Sequence, residues 1–211
     1  MKTALLTSIS DNISDVIKLT SPNKLEYCLK HGYSFILDNQ PYEEAIARTY
    51  ALIHLFEEYD LLWIIDADTV ITNMNIPIHS LQCLGKHMTI CEENMVHWNK
   101  LNGGSIVFKN TPETKWLLQA ISDNKSQWEN LPCITQTWFE IMSSHLGDII
   151  TIAPANSFNS VEWNLPANSA TWGPPGNNWR HGDLLYHPCS VFPKEERMKY
   201  LRNALETKVI H

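Results

Sequence analysis

"WIIDADTVITN", residues 63–73, joins an apolar run to two acids, Asp66 and Asp68. The run that leads into it, "LLWIID" from Leu61, reads as a strand buried on both faces, because its apolar residues are consecutive rather than alternating. An unpaired buried carboxylate is costly, and two side by side cost more because they repel each other. Something positive is therefore expected beside them.

Working back from this strand, "TALLTSIS" from Thr3 reads as a first buried strand and "YSFILD" as a second. Between them, "DVIKLTSPNKLEYCLKHG" carries Leu25, Cys28 and Leu29 at helical spacing and stops at Gly32, so these three are expected to face inward. "PYEEAIARTYALIHLFEEY" places Ala45, Ile46, Thr49, Leu52, Ile53 and Phe56 on one helical stripe after Pro41. Alternating strands and helices predict an α/β domain with a mostly parallel central sheet flanked by helices, which binds ligands at the carboxyl ends of its strands. Asp66 and Asp68 stand at such an end. If the extended backbone continues through them, a period of two sets their carboxylates on one side, ~6 to 7 Å apart.

Downstream, "MTIC", "GGSIVFKN" and "DIITIAP" are strand candidates. "TPETKWLLQAIS" is a helix with a Thr cap and Pro in its first turn, and "PCITQTWFEIMSSHLG" is another. "PKEERMKYLRNALETK" predicts a last helix with Met198, Leu201 and Leu205 inward. The stretch from Asn156 to Asp183 is rich in Asn, Pro, Gly and Trp and reads as a long functional loop. Neither repeats nor a linker interrupt the chain, so residues 1–211 are expected to form a single domain.

Hydrophobic residues make up 44% of the chain and charged residues 18%, which excludes a disordered chain. A net charge of −7 with no basic run argues against a nucleic-acid partner. Five cysteines (Cys28, Cys83, Cys91, Cys133, Cys189) without C-x-x-C spacing read as reduced thiols. Trp98, Trp128, Trp163, Trp172 and Trp179 lie in polar surroundings, where some are expected to line a cleft. No apolar run approaches a membrane span or a signal peptide, so a soluble cytoplasmic protein is the expectation.

Several functions fit an Asp-x-Asp at a strand end. It can be a turn cap. It can be a phosphatase of the haloacid-dehalogenase type, with Asp66 as nucleophile and Asp68 as general acid and base. Two strand and helix units precede it here, however, and "GDLLYH" has a histidine where a second acid is wanted. It can also hold the metal of a nucleotide-sugar transferase, since a divalent ion on oxygen ligands stabilises a diphosphate leaving group. Two carboxylates and one imidazole suit Mn²⁺, with Mg²⁺ as the other choice.

The segments "WIIDADTVITN", "LNGGSIVFKN", "TQTWFEI", "SFNSVEWN" and "GDLLYHP" follow one another in the order found in GT-A glycosyltransferases. Together with "NKLEYCLKHGYSFIL" upstream, they resemble the family of fungal galactosyl- and mannosyltransferases and plant xyloglucan xylosyltransferases. The resemblance runs from about Thr3 to Pro188 and implies a GT-A (Rossmann-like) fold. It also implies a retaining transfer of a hexose or pentose from a nucleotide-diphosphate sugar, expected to be a UDP-sugar, to a hydroxyl acceptor. A binding module that kept the fold and lost turnover is the non-enzymatic alternative.

The resemblance further implies Asp66, Asp68 and His187 as metal ligands, with Asp66 also near the ribose. It implies Asn102, Gly103 and Gly104 beside the donor sugar, and Gln136 near its reacting face. Thr7, Ser8 and Arg48 are implied for the nucleoside, and Asn159 and Asp183 for sugar or acceptor. Lys194 is placed within reach of the phosphates. Thr135 stands where the family has an acidic residue, and "HPCSVF" lacks the family's glycine after the histidine. The acceptor is expected at the tryptophan-rich loop.

Overall fold

The structure, a computed structural model, describes residues 1–8, 13–38, 52–93, 100–128, 134–161, 179–189, 191 and 193–209. In chain order these form β1 (Thr3–Ser8), α1 (Ser14–His31), β2 (Ser34–Asp38), β3 (Leu61–Ile65), β4 (Val70–Ile71), β5 (Met88–Glu92) and β6 (Leu101–Lys109). They continue as α2 (Pro112–Asp123), α3 (Ile134–Ser143), β7 (Ile150–Ala153), β8 (Ser160–Val161), β9 (Leu185–His187) and α4 (Lys194–Glu206). Of the second predicted helix, the part up to Ala51 lies outside the described residues, and Leu52 and Phe56 beyond it are buried.

The main sheet runs β2-β1-β3-β6-β5-β7. Its β1–β2, β1–β3 and β5–β7 pairings are parallel, and β6 is antiparallel to both neighbours. It is an α/β sheet with one reversed strand. Alternate residues of β1 and β3 enter different cores. Ala4, Leu6, Leu62 and Ile64 pack under α2 and α3, and Leu5, Leu61, Trp63 and Ile65 pack against α1 and the segment after β4. With both faces covered, these strands have no polar side, which is why they read as unbroken apolar runs.

Thr111 caps α2 by accepting from the Thr114 N–H, with Pro112 in the first turn as expected. α1 stops at Gly32, whose φ of 68° is left-handed. Its inward face differs from the expectation: Cys28 is buried, but Leu25 and Leu29 are 45% and 73% exposed. The buried positions are Val16, Ile17, Thr20, Asn23, Lys24, Tyr27 and Cys28. Polar members of this face bond to main chain, so hydrophobicity alone could not identify it.

A second sheet, β4-β9-β8, stands over the end of β3. It pairs Val70 with Tyr186 and Val161 with His187, bringing the far end of the chain onto the Asp-x-Asp segment. A third apolar cluster, with Val16, Ala67, Val70, Tyr186 and Leu201, ties α1, this small sheet and α4 together. Among the described residues no helix is long and apolar enough to cross a membrane.

Candidate active site

The chain turns immediately after β3. Asp66 donates its N–H to the Gly104 carbonyl at 2.9 Å, and Thr69 Oγ1 donates back to the Asp66 carbonyl at 2.7 Å, closing a tight turn. The extension expected from the sequence therefore ends one residue early. The turn, together with β9, gathers the groups: a ligand atom from each of Asp66, Asp68 and His187 lies within 4.8 Å of the other two. His187 Nε2 sits 3.6 Å from Asp68 Oδ1 and 4.0 Å from Asp66 Oδ2.

Oxygen or nitrogen ligands ~2.1 to 2.2 Å from one small divalent ion are separated by ~3 to 4.4 Å, so this arrangement closes on such an ion with little movement. The donor set also fits. Two carboxylates are hard ligands, and a neutral imidazole adds a nitrogen acceptable to transition metals. His187 is fully walled in, and a side chain on Gly104 would come 2.2 Å from its Cε1, so β6 must carry glycine at this point.

The positive partners anticipated for the aspartates are protein side chains as well. Arg197 on α4 donates to Asp68 Oδ2 at 2.9 Å and to the Val191 carbonyl at 3.1 Å. Lys24 on α1 is completely buried. Its ammonium donates to the carbonyls of Asp66 and Ala67, each at 2.9 Å, and to Thr20 Oγ1 at 3.4 Å, which uses all three N–H bonds. Burial pulls Lys24 down to about 7, against the opposing pull of Asp68 and Asp66. Burial also pushes Asp68 up, but His187 and Arg197 outweigh it and hold the carboxyl at about 2. The same carboxylates raise His187 against its own burial.

Lys24 belongs to the segment "NKLEYCLKHGY", and the structure gives that segment a job. Asn23 exchanges two hydrogen bonds with the Ile71 backbone at 3.0 and 2.8 Å. The Tyr27 hydroxyl donates to the Ile76 carbonyl and accepts from the Ile78 N–H, both at 2.8 Å. His31 bonds the Met74 carbonyl, and Tyr33 pairs with His79. Successive residues of α1, with Tyr33 just beyond it, thus grip the chain from Asp66 to His79. The signal for Lys24 was its spacing four residues from Thr20 and three from Tyr27, a charge on an otherwise inward face.

Beyond His187 lies a bank of amides. Asn102 is 1% exposed, and its Oδ1 accepts from the Gly104 N–H at 2.8 Å and from Asn159 Nδ2 at 2.7 Å. Gln136 on α3 and Asn102 both donate to Glu93, at the end of β5. Glu93 carried no motif and was missed from the sequence, although an acid so close behind an apolar strand was a visible clue. Burial drives its carboxyl up to about 7, opposed by Asn102, His187 and Gln136. Gly103 lies beside Asn102 on β6.

On the other side of the aspartates is a cleft of about 260 Å³ lined by Ser8, Ile13, Val16, Asp66, Ala67, Asp68 and Arg197. Ser8, at the end of β1, thus reaches the site. Thr7 does not, since its hydroxyl bonds the Ile65 carbonyl within the sheet at 3.0 Å. Lys194 pairs with Asp15 at 2.8 Å and lines a second cavity with Glu195, Met198 and Arg202. The Asp183 carboxylate accepts from the Arg180 N–H in a local turn. Arg48, Trp98, Trp163, Trp172 and residues 162–178 of the long loop lie outside the described residues.

A mostly parallel α/β sheet with Asp-x-Asp at the end of an inner strand, closed by a distant histidine, is the arrangement of GT-A glycosyltransferases, and the comparisons agree. Residues 5–89 match the sequence model of the galactosyl transferase GMA12/MNN10 family. A glycosyltransferase involved in the glycosylation of the major capsid of PBCV-1 superposes with a TM-score of 0.74 at 17% identity, covering 96% of this chain and 100% of that one. The galactosyltransferase LgtC, solved with donor and acceptor sugar analogs, gives 0.54 at 14%, over 99% and 97% of the two chains. Mouse xyloside xylosyltransferase 1 gives 0.51 at 9%, over 91% and 99%. No curated protein sequence matches the chain. The fold is therefore that of the GT-A glycosyltransferases, and residues 5–89 carry the sequence match to the galactosyl transferase family.

Proposed function

We propose that the chain is a metal-dependent, retaining glycosyltransferase that moves a hexose or pentose from a UDP-sugar to a hydroxyl acceptor, with Mn²⁺ as its ion. The observation that carries this reading is the closure of Asp66, Asp68 and His187 within 4.8 Å at the mouth of the sheet. The retaining outcome and the uridine rest on the motif resemblance, and the mixed oxygen and nitrogen ligands favour Mn²⁺ over Mg²⁺.

When bound, the ion supplies Lewis-acid neutralisation of the charge that develops on the diphosphate. The protein's own residues then divide the rest. Asp66, Asp68 and His187 hold the ion, and the cleft edged by Ser8 takes the nucleoside. Arg197 offers a fixed cation beside Asp68. We assign the phosphates to Arg197 in preference to Lys194, which pairs with Asp15 one helical turn earlier. On the far side, Gln136 and the Asn102, Gly103 and Gly104 backbone receive the sugar, with Asn159 behind Asn102 as its support. Held reactants and a preorganised charge account for the catalysis without a dedicated base. The phosphatase reading has no support in a GT-A architecture.

A thermal-shift screen of nucleoside diphosphates with and without Mn²⁺ tests the reading. A ligand at ~100 times its dissociation constant adds ~2.7 kcal/mol, so a shift with UDP that requires Mn²⁺ is expected. The absence of any metal-dependent nucleotide shift sinks the proposal. A shift without release of diphosphate from any sugar donor turns it into a binding module.

A further inference from the structure

Glu93 has no part in holding an ion, yet it is only 7% exposed and both of its oxygens are engaged. Oε1 accepts from Asn102 Nδ2 and Oε2 from Gln136 Nε2, each at 3.1 Å. The same Gln136 nitrogen donates to the Leu101 carbonyl at 2.9 Å. A primary amide has two N–H bonds, and here both are spent on groups that accept. Neither the Leu101 carbonyl nor an ionised Glu93 can donate, so the two together hold the nitrogen end of the Gln136 amide. What remains to Gln136 is Oε1, to which no described residue donates. Asn102 is saturated in the complementary sense, its oxygen taken by Gly104 and Asn159 and its nitrogen donating to Glu93 and, at 3.9 Å, to Cys189 Sγ.

We propose that Glu93 is a positioning residue that locks the Gln136 amide with its carbonyl oxygen, never its N–H, toward the donor sugar, and couples that amide through Asn102 to the strand carrying Gly104. The inference rests on the transferase reading above. Cleavage of a glycosidic bond develops positive charge at the anomeric carbon and ring oxygen. A carbonyl oxygen aimed there stabilises that charge, whereas a rotated amide would direct its protons at it. Only a group that accepts at both oxygens satisfies two amide donors at once. The isosteric glutamine of E93Q would set an NH₂ against one of them and force an amide to turn.

The test compares wild type, E93Q, Q136A and the double variant. E93Q is expected to keep the Mn²⁺-dependent UDP thermal shift while kcat for sugar release falls about 100-fold and KM moves less than about 3-fold. In the Q136A background E93Q should cost nothing more, because Glu93 acts through Gln136. Independently of turnover, the Gln136 side-chain amide protons should exchange slowly in wild type and quickly in E93Q by nitrogen-15 NMR. Additive losses in the cycle, full kcat in E93Q, or unchanged amide exchange each overturn the proposal. Wild-type protein that binds Mn²⁺ and UDP but releases sugar from no donor overturns the transferase reading. In that case the exchange measurement still decides whether Glu93 orients Gln136.

Discussion

The two banks of the site solve the same problem, polar groups at the end of a buried sheet, by different means. On one bank Asp66, Asp68 and His187 crowd together and are balanced by full charges, Arg197 at 2.9 Å and the buried Lys24 behind. On the other, a single carboxylate is balanced by neutral amides, with Asn102 and Gln136 each 3.1 Å from Glu93. The first bank stays ionised and attracts a further cation. The second has the N–H groups of Asn102 and Gln136 committed and leaves the Gln136 Oε1 as an acceptor, so it can orient a ligand but adds no charge to attract one. Charge density separates a candidate metal centre from a positioning scaffold even when both are built around buried carboxylates.

The sharpest way to break this contrast is to remove its charge on the first bank. Asp68→Asn should abolish the metal-dependent nucleotide shift and lower sugar transfer by about three orders of magnitude, as loss of several kcal/mol of charge stabilisation demands. An unaltered Mn²⁺ titration would contradict the division of labour. Next, Lys24→Met strips the donors from two buried carbonyls and removes one of the cations that balance the aspartates. A loss of about 3 kcal/mol in urea unfolding is expected. Gly104→Ala sets a methyl against the His187 ring, and metal affinity should drop about 10 to 100-fold by calorimetry.

Titration distinguishes the banks without mutation, in metal-free buffer. The Asp68 carboxyl, held at about 2, is more acidic folded than unfolded, so its contribution is complete above about pH 4 and disappears as the pH falls toward 2. Glu93 has the opposite sign: raised from 4.5 to about 7, it keeps a proton that the unfolded chain has released. Stability should therefore decline as pH rises across that interval, on the order of 3 kcal/mol at most, and E93Q should flatten the slope. A slope that survives E93Q would place its origin elsewhere. The smallest effect is expected at Lys194→Ala, an exposed pair whose loss should leave both stability and nucleotide affinity unchanged, in contrast to Arg197→Ala.

Much of this arrangement was legible in the sequence because it is written in local pattern. The unbroken apolar runs of β1 and β3, Thr111 with Pro112, and Gly32 at the close of α1 each act on neighbours in the chain. His187 was found only through the ordered motifs, since one histidine far from its partners has no local signature. Lys24, Arg197 and Glu93 escaped because their roles depend on which main-chain groups fold over them. Leu25 and Leu29 misled for the converse reason: α1 turns its polar donors inward, and apolar spacing then marks the wrong side. The aspartates were expected on extended chain, and the Thr69 hydroxyl closes a turn there instead.

The grip of α1 on the strand that follows the aspartates is made almost wholly of side chains holding main-chain atoms. Nearly all the chemical information therefore resides in one partner. Met74 and Ile76 enter the polar part of the contact through their carbonyls alone, so in a saturation library their replacements should be limited by the apolar core they share with Tyr27 and not by these bonds, proline aside. Asn23 and Tyr27 should accept almost none. The helix works as a template and the Asp-x-Asp loop as the casting, so new loop chemistry could be explored on this scaffold with its mould left intact.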